Sequence, residues 1–234
     1  MPQIELQNVT KYFVNDRKQR FAAVDDISLT IEQGDFVFLV GSSGAGKTTL
    51  LRLIANQIRA DSGRVWMGDK EVTRLAYWRR SSYRRIVGQV WQDATLIRKK
   101  TIRENFNIVQ RALGVRSKVA EENTTKALAL VGMRAMGERY PFELSGGQIK
   151  LVELARAVIC NPPILVVDEI TANLDYDTGW DIMNILAEIN RCGTTIIMAT
   201  HAKQFVNVMR KRVVTLVEGK IIADVQKGKY GEFE

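Results

Sequence analysis

Apolar and polar positions alternate from Gln3 to Val9, with Ile4 and Leu6 in phase and Val9 out of step. Ala23 to Ile31 repeats the alternation through Val24, Ile27, Leu29 and Ile31, so two half-buried strands open the chain. After the turn at Gly34-Asp35, Phe36 to Val40 is an unbroken apolar run, the pattern of a parallel strand covered on both faces. A glycine loop, Gly41 to Gly46, follows, and Thr48 to Ala60 predicts a helix with Leu50, Leu51, Ile54 and Ile58 on one side, ended by Asp61-Ser62-Gly63. Between about Ala94 and Arg139 the period becomes helical through Ile102, Phe106, Val109, Ala127, Leu128 and Val131. Pro141 breaks it, and Leu151 to Ile159 resumes it. Ile164–Val167 and Thr194–Ala199 predict two further buried strands, separated by a helix over Asp181–Ile189. Short strands around Val213–Val217 and Lys220–Ala223 close the pattern. Strand, loop and helix in alternation predict an α/β fold with a largely parallel sheet.

The chain has 234 residues, of which 46% are hydrophobic, enough for a sizeable core and against global disorder. No run approaches the ~18 apolar residues of a membrane span, and no basic-then-apolar leader is visible at the start. Cys160 and Cys192 are too few for a disulfide scaffold and fit a reducing compartment. The net charge is +8. All of that excess lies between Arg74 and Arg103, where nine cations (Arg74, Arg79, Arg80, Arg84, Arg85, Arg98, Lys99, Lys100, Arg103) face one acid, Asp93. Tyr77, Trp78, Tyr83 and Trp91 interleave them, so the window reads either as a solvated basic face or as a contact surface.

Gly41-Ser42-Ser43-Gly44-Ala45-Gly46-Lys47-Thr48-Thr49 matches the P-loop pattern between a buried strand and a helix. Backbone N–H groups and the helix dipole would cradle phosphate there, Lys47 would meet the β- and γ-phosphates, and Thr48 would give its hydroxyl to Mg²⁺. Ile164–Glu169 places Asp168 at the end of a buried strand to hold Mg²⁺ through water. Glu169, one residue on, is positioned to activate the attacking water. Leu144-Ser145-Gly146-Gly147-Gln148 puts two glycines at a helix start, an anion-binding arrangement.

With these three motifs in this order, nearly the whole chain resembles the ATP-binding-cassette (ABC) ATPases. The resemblance implies a P-loop fold with an N-terminal antiparallel β region and an inserted helical subdomain at 94–155 that ends in the signature motif. The core would comprise 1–93 and 156–234. It also implies a head-to-tail homodimer with two ATP at its seam, in which Ser145, Gly146, Gly147 and Gln148 of one copy complete the other copy's site. Val90-Trp91-Gln92-Asp93 looks like the Q-loop, with Gln92 reaching Mg²⁺ and water. Ala172-Asn173-Leu174-Asp175 looks like the D-loop, with Asp175 at the seam. Ala199-Thr200-His201 looks like the switch-histidine strand end, and His201 is the only histidine. Phe13, or Tyr12 beside it, lies where the family stacks a ring on adenine. Two departures stand out: Ile170 follows Glu169 where the family usually has Pro, and Ile149-Lys150-Leu151 replaces the usual run after the signature.

Within the family, the stretches 36–49 and 84–93 and the ending Lys229-Tyr230-Gly231 resemble the FtsE type of bacterial cell-division ATPase. That resemblance implies ATP hydrolysis coupled to an FtsX-like integral membrane partner, regulation of cell-wall hydrolysis rather than transport, and a cytoplasmic place on the inner face of the membrane. No nucleic-acid partner is expected, because the chain lacks the heptad arrays and Cys clusters of the DNA-repair types. ATPases of lipoprotein-release, macrolide-efflux or amino-acid transporters remain the alternatives, with a soluble ABC ATPase acting on nucleic acid behind them.

Overall fold

The computed structural model describes residues 4–75, 83 and 85–231. Tyr77, Trp78, Arg79, Arg80 and Arg84 of the basic window lie outside the described residues.

The N-terminal hairpin pairs β1 (Ile4–Val14) with β2 (Arg20–Ile31). With β4 (Ser62–Met67) and β5 (Lys70–Glu71) they form an antiparallel sheet ordered β2-β1-β4-β5. Val9 falls out of step for a local reason. Asn8 takes φ 48°, and the pairing register shifts between Leu6 and Val9, a bulge that turns Val9 back toward the core. Gly63 sits against this bulge with φ +80°, and a Cβ there would lie 2.2 Å from the Asn8 carbonyl oxygen.

The second sheet is ordered β10-β9-β3-β8-β7-β6. Its members are β3 (Phe36–Val40), β6 (Val87–Val90), β7 (Ile164–Asp168), β8 (Thr195–Ala199), β9 (Arg212–Val217) and β10 (Lys220–Val225). All neighbours pair in parallel except the edge pair β9–β10. Alternate residues of β3 serve two cores. Val37 and Leu39 pack with Ile4, Leu6, Leu50 and Ile54 toward the antiparallel sheet. Phe36, Phe38 and Val40 pack on the other face with Leu165, Val167, Ile182 and Leu186.

Six α-helices are described: α1 (Lys47–Ile54), α2 (Ile102–Ala112), α3 (Ser117–Leu130), α4 (Gly146–Val158), α5 (Tyr176–Arg191) and α6 (Lys203–Met209). The periodicity reading has no helix at α6 and begins α5 at Asp181 rather than Tyr176; α1, α2 and α4 differ from it as well. α1 stops at Ile54, not Ala60, because Asn56 takes a left-handed φ of 50°. The Gln57 N–H then bonds the Arg52 carbonyl and the Asn56 N–H the Leu53 carbonyl, a Schellman closure. The helical region 94–139 begins only at Ile102. Its preceding loop is tied down by the buried Asn105 amide, which donates to the carbonyls of Ile97, Lys100 and Thr101. α4 begins at Gly146, five residues before Leu151. Leu96, Ile102, Phe106, Leu128, Val131, Val152 and Ala155 form a third core joining α2, α3 and α4. Among the described residues no helix is long and apolar enough to cross a membrane.

Candidate functional site

The P-loop runs from the end of β3 into α1. Gly46 caps α1 at φ 101°, and a Cβ there would meet the Ala23 carbonyl oxygen at 2.2 Å, so this position demands glycine. No acidic side chain occupies the first turn of α1, leaving its N–H groups and dipole free for an anion. The Lys47 side chain is buried and folded back, donating to the carbonyls of Gly41 at 3.0 Å and Ser42 at 2.9 Å. Burial pushes its pKa down, opposed by the nearby Glu169 and Asp168 carboxylates.

β7 and β8 end side by side and bring the acids and the histidine to the same sheet edge. His201 Nε2 lies 3.1 Å from Glu169 Oε1 and 3.1 Å from Lys47 Nζ. One ring nitrogen can accept from the ammonium or donate to the carboxylate but cannot do both, so this contact can switch with the histidine's tautomer. Glu169 is held at φ +48°, in the left-handed region, while its N–H donates to the Ala199 carbonyl at 3.0 Å. Such a conformation in a glutamate costs on the order of 1–3 kcal/mol and persists only where the surroundings enforce it. Ile170 is fully buried in the core beneath α5, so the departure after Glu169 fills an apolar slot.

Asp168 is buried, and burial raises its pKa; the Thr48 hydroxyl bonds to it and opposes the shift. Its Oδ1 has no hydrogen-bond partner. An orphaned carboxylate oxygen beside a hydroxyl and a phosphate cradle fits a divalent cation that takes its remaining ligands from phosphate and water. Among the described residues no cluster of three or more His, Cys, Asp or Glu side chains forms a metal cage of protein groups alone.

These groups surround a cleft of about 300 Å³ lined by Ser43 to Thr49, Gln92, Glu169, His201, Phe13, Phe21 and Ala23. Phe13 lines it, whereas Tyr12 is covered by Arg20, whose guanidinium lies 3.8 Å from the ring centroid. Phe21 was not anticipated from the sequence. It pairs with Phe13 across the β1–β2 hairpin, their centroids 6.4 Å apart, and hairpin register is the signal that could have found it.

The signature residues and Asp175 lie elsewhere on the same chain. Ser145 caps α4 with a reciprocal pair: the Gln148 N–H reaches its Oγ at 3.3 Å and the Ser145 N–H reaches Gln148 Oε1 at 2.9 Å. Asp175 caps α5, accepting from the Thr178 N–H at 2.9 Å and the Thr178 hydroxyl at 2.7 Å, which holds its carboxyl below the usual range. The two caps are neighbours, since a Cβ on Gly147 would lie 3.0 Å from the Thr178 methyl. One copy of the chain therefore presents a phosphate cleft and, apart from it, an exposed glycine-rich helix start.

The basic window is less open than its charge suggests. Arg103 pairs with Glu138 and Glu121, and Lys100 with Glu104 at 2.8 Å. Arg85, by contrast, is exposed on the rim of a groove of about 780 Å³ between β6 and α2, which also includes Trp91, Ile108, Leu113 and Cys160.

Buried parallel strand, glycine loop, capped helix and acidic strand end define a P-loop nucleotide-binding cassette. The chain belongs to the ABC transporter family, whose model matches residues 24–172. The cell division ATP-binding protein FtsE of Bacillus subtilis (strain 168) is 37% identical, the match covering 99% of this chain and 100% of that one. FtsE of Mycobacterium tuberculosis (strain ATCC 25618 / H37Rv) is 39% identical over 97% of this chain and 98% of that one. The methionine import ATP-binding protein MetN 2 of Rhodococcus jostii (strain RHA1) is 36% identical, but this chain spans only 65% of it. Among solved structures, the dimeric post-hydrolysis state of an ATP-binding cassette bound to ADP and Pi superimposes with a TM-score of 0.89. It is 27% identical, and the match covers 97% of this chain and 100% of that one. A dimeric bacterial ABC transporter cassette gives 0.88 at 29% identity, with the same coverage. This chain is an ATP-binding and ATP-hydrolysing ABC subunit, FtsE-like over its whole length.

Proposed function

We propose that two copies of the chain close head to tail around two ATP molecules and drive a conformational stroke in an integral membrane partner, in the service of cell division. The observation that carries this reading is the separation within one copy of the phosphate cleft from the Ser145–Gln148 helix start. The cleft is lined by Lys47 and the P-loop, and a second copy's α4 N-terminus would add further donors to the phosphates.

In the closed state, Lys47 leaves the Gly41 and Ser42 carbonyls for the γ-phosphate, and Ser145 and Gly147 of the other copy grip the same group. Phe13 stacks on adenine, with Phe21 flanking it. Thr48, Asp168 and Gln92 would hold Mg²⁺, which would supply positive charge against the phosphates. Glu169 accepts the proton of the attacking water, and His201 donates to the γ-phosphate and fixes the water's line of approach. Because ATP touches both copies only when they are closed, binding shifts the population toward closure and hydrolysis releases it.

The groove beside Gln92, rimmed by Arg85, is the surface that meets the membrane partner, an FtsX-like protein. The matches to FtsE, 37% and 39% identical over 99% and 97% of this chain, support a cell-division role over an importer role. Co-purification of the tagged chain with a small integral membrane protein is the test, and recovery of a substrate-binding importer complex instead would overturn the cell-division assignment.

A further inference from the structure

The run after the signature, where the sequence departs from the family, makes a set of contacts that the ATP site does not use. Lys150 lies on α4, one turn from the Ser145 cap, with its side chain only 13% exposed. Its ammonium reaches across to the Q-loop backbone, donating to the carbonyls of Trp91, at 3.2 Å, and Gln92. One turn further on, Glu153 is 1% exposed, and its Oε1 accepts from the Thr95 N–H and, at 3.0 Å, from the Thr95 hydroxyl. Arg156 completes the set, donating to the Thr95 carbonyl at 3.0 Å and to its hydroxyl. The two cations flank the acid: Lys150 Nζ is 3.7 Å from Glu153 Oε2, and Arg156 Nη2 is 3.9 Å from Oε1. Glu153 Oε2 has no hydrogen bond, so its buried charge is balanced only by these neighbours.

We infer that Lys150, seated by Glu153, is a positioning residue that ties the signature helix to Gln92 and so sets where the Gln92 side chain enters the ATP cleft. The inference rests on the assignment of Gln92 to catalysis made above. Two features give it force. Lys150 grips the main chain at Gln92 itself, while Glu153 and Arg156 grip Thr95, so α4 holds this loop at two points. α4 is also the helix whose N-terminus would meet the other copy's ATP, so a shift of α4 on closure moves the Gln92 backbone with it. A misplacement on the order of 1 Å at such a group can cost up to about a hundredfold in rate.

The test is steady-state ATPase kinetics on the full chain with Lys150→Met, Lys150→Arg, Gln92→Ala and the double variant Gln92→Ala/Lys150→Met. Lys150→Met is expected to lower kcat roughly ten- to a hundredfold with KM for ATP little changed, and Lys150→Arg to recover most of the loss. In the Gln92→Ala background, Lys150→Met should change kcat by less than about twofold, since two residues acting through one contact are not additive. A full kcat in Lys150→Met, or an undiminished effect in the Gln92→Ala background, would overturn the inference while leaving Gln92 in its role. An unchanged kcat in Gln92→Ala would instead remove the catalytic assignment on which the inference stands. Should Lys150→Met fail to fold, Lys150→Gln, whose shorter amide cannot span to the Q-loop, supports the same comparison.

Discussion

Replacing Ser145 with Ala removes a hydroxyl that has two separable uses. In the single copy it caps α4, accepting from the Gln148 N–H at 3.3 Å, a long bond. Such a cap is worth about 0.5–1 kcal/mol at the weaker end of its range. For 234 residues the unfolding entropy is about 0.5 kcal/mol/K, so the nucleotide-free Tm should fall by only about 1–2 °C. In the proposed closed dimer the same hydroxyl would donate to a γ-phosphate, a charged acceptor worth about 1.5–3 kcal/mol per bond. That dimer would contain two such bonds, so Ser145→Ala should weaken ATP-driven dimerisation by about 3–6 kcal/mol, two to four powers of ten. Calorimetry measures the first effect. Sedimentation velocity with ATP, in a Glu169→Gln background that prevents turnover, measures the second. If Ser145→Ala dimerises as readily as its parent, the hydroxyl does not reach the nucleotide and the head-to-tail arrangement is wrong. A Tm loss above about 5 °C would show instead that the cap estimate is wrong and that the dimer result reflects misfolding.

Lys47→Ala should bind ATP at least tenfold more weakly, because it removes a charge-assisted contact worth about 1.5–3 kcal/mol; unchanged affinity in a titration would sink the P-loop assignment. Asp168→Asn should stabilise the metal-free chain increasingly as pH rises. The folded pKa of Asp168 is raised above the ordinary 3.8, so the native state binds the proton more tightly than the unfolded chain does. Stability is therefore lost as pH climbs from that value through the folded pKa, and only the aspartate suffers the loss; a Tm difference flat with pH would refute it. Gly179→Ala should cost about 1–3 kcal/mol by overpacking. Its Cβ would lie 2.6 Å from the Phe205 ring, and an unaltered Tm would mean that the ring yields freely.

Much of the site was legible because its chemistry sits at fixed places in a short pattern. The apolar runs at Phe36–Val40 and Ile164–Val167 located the strand ends, and the glycines, Lys47, Asp168 and Glu169 followed from them. Helix ends were less legible, because periodicity carries no information about caps. α1 extended on paper to Ala60 since Ile58 keeps the apolar phase, yet Asn56 ends the helix by its backbone alone. The start of α4 was legible from the glycines after Ser145, whereas the Asp175 cap, a readable signal for the start of α5, was missed and that helix was begun at Asp181. The basic window misled in another way. Counting charge along the chain stopped at Arg103, whereas Glu104, Glu121 and Glu138, which neutralise two of its cations, come later in sequence. Nor could the grip of Lys150 on the Gln92 carbonyl be read, since it joins residues 58 apart through a backbone oxygen that every residue carries.

The central claim is that Glu169 activates water in an ATP site shared by two copies, and Glu169→Gln tests it most directly. Hydrolysis by that variant should fall by at least two powers of ten, the contribution of a positioned general base, while ATP binding persists and the chain accumulates as an ATP-bound dimer. Wild-type turnover in Glu169→Gln, or a variant that stays monomeric at saturating ATP, would contradict the account.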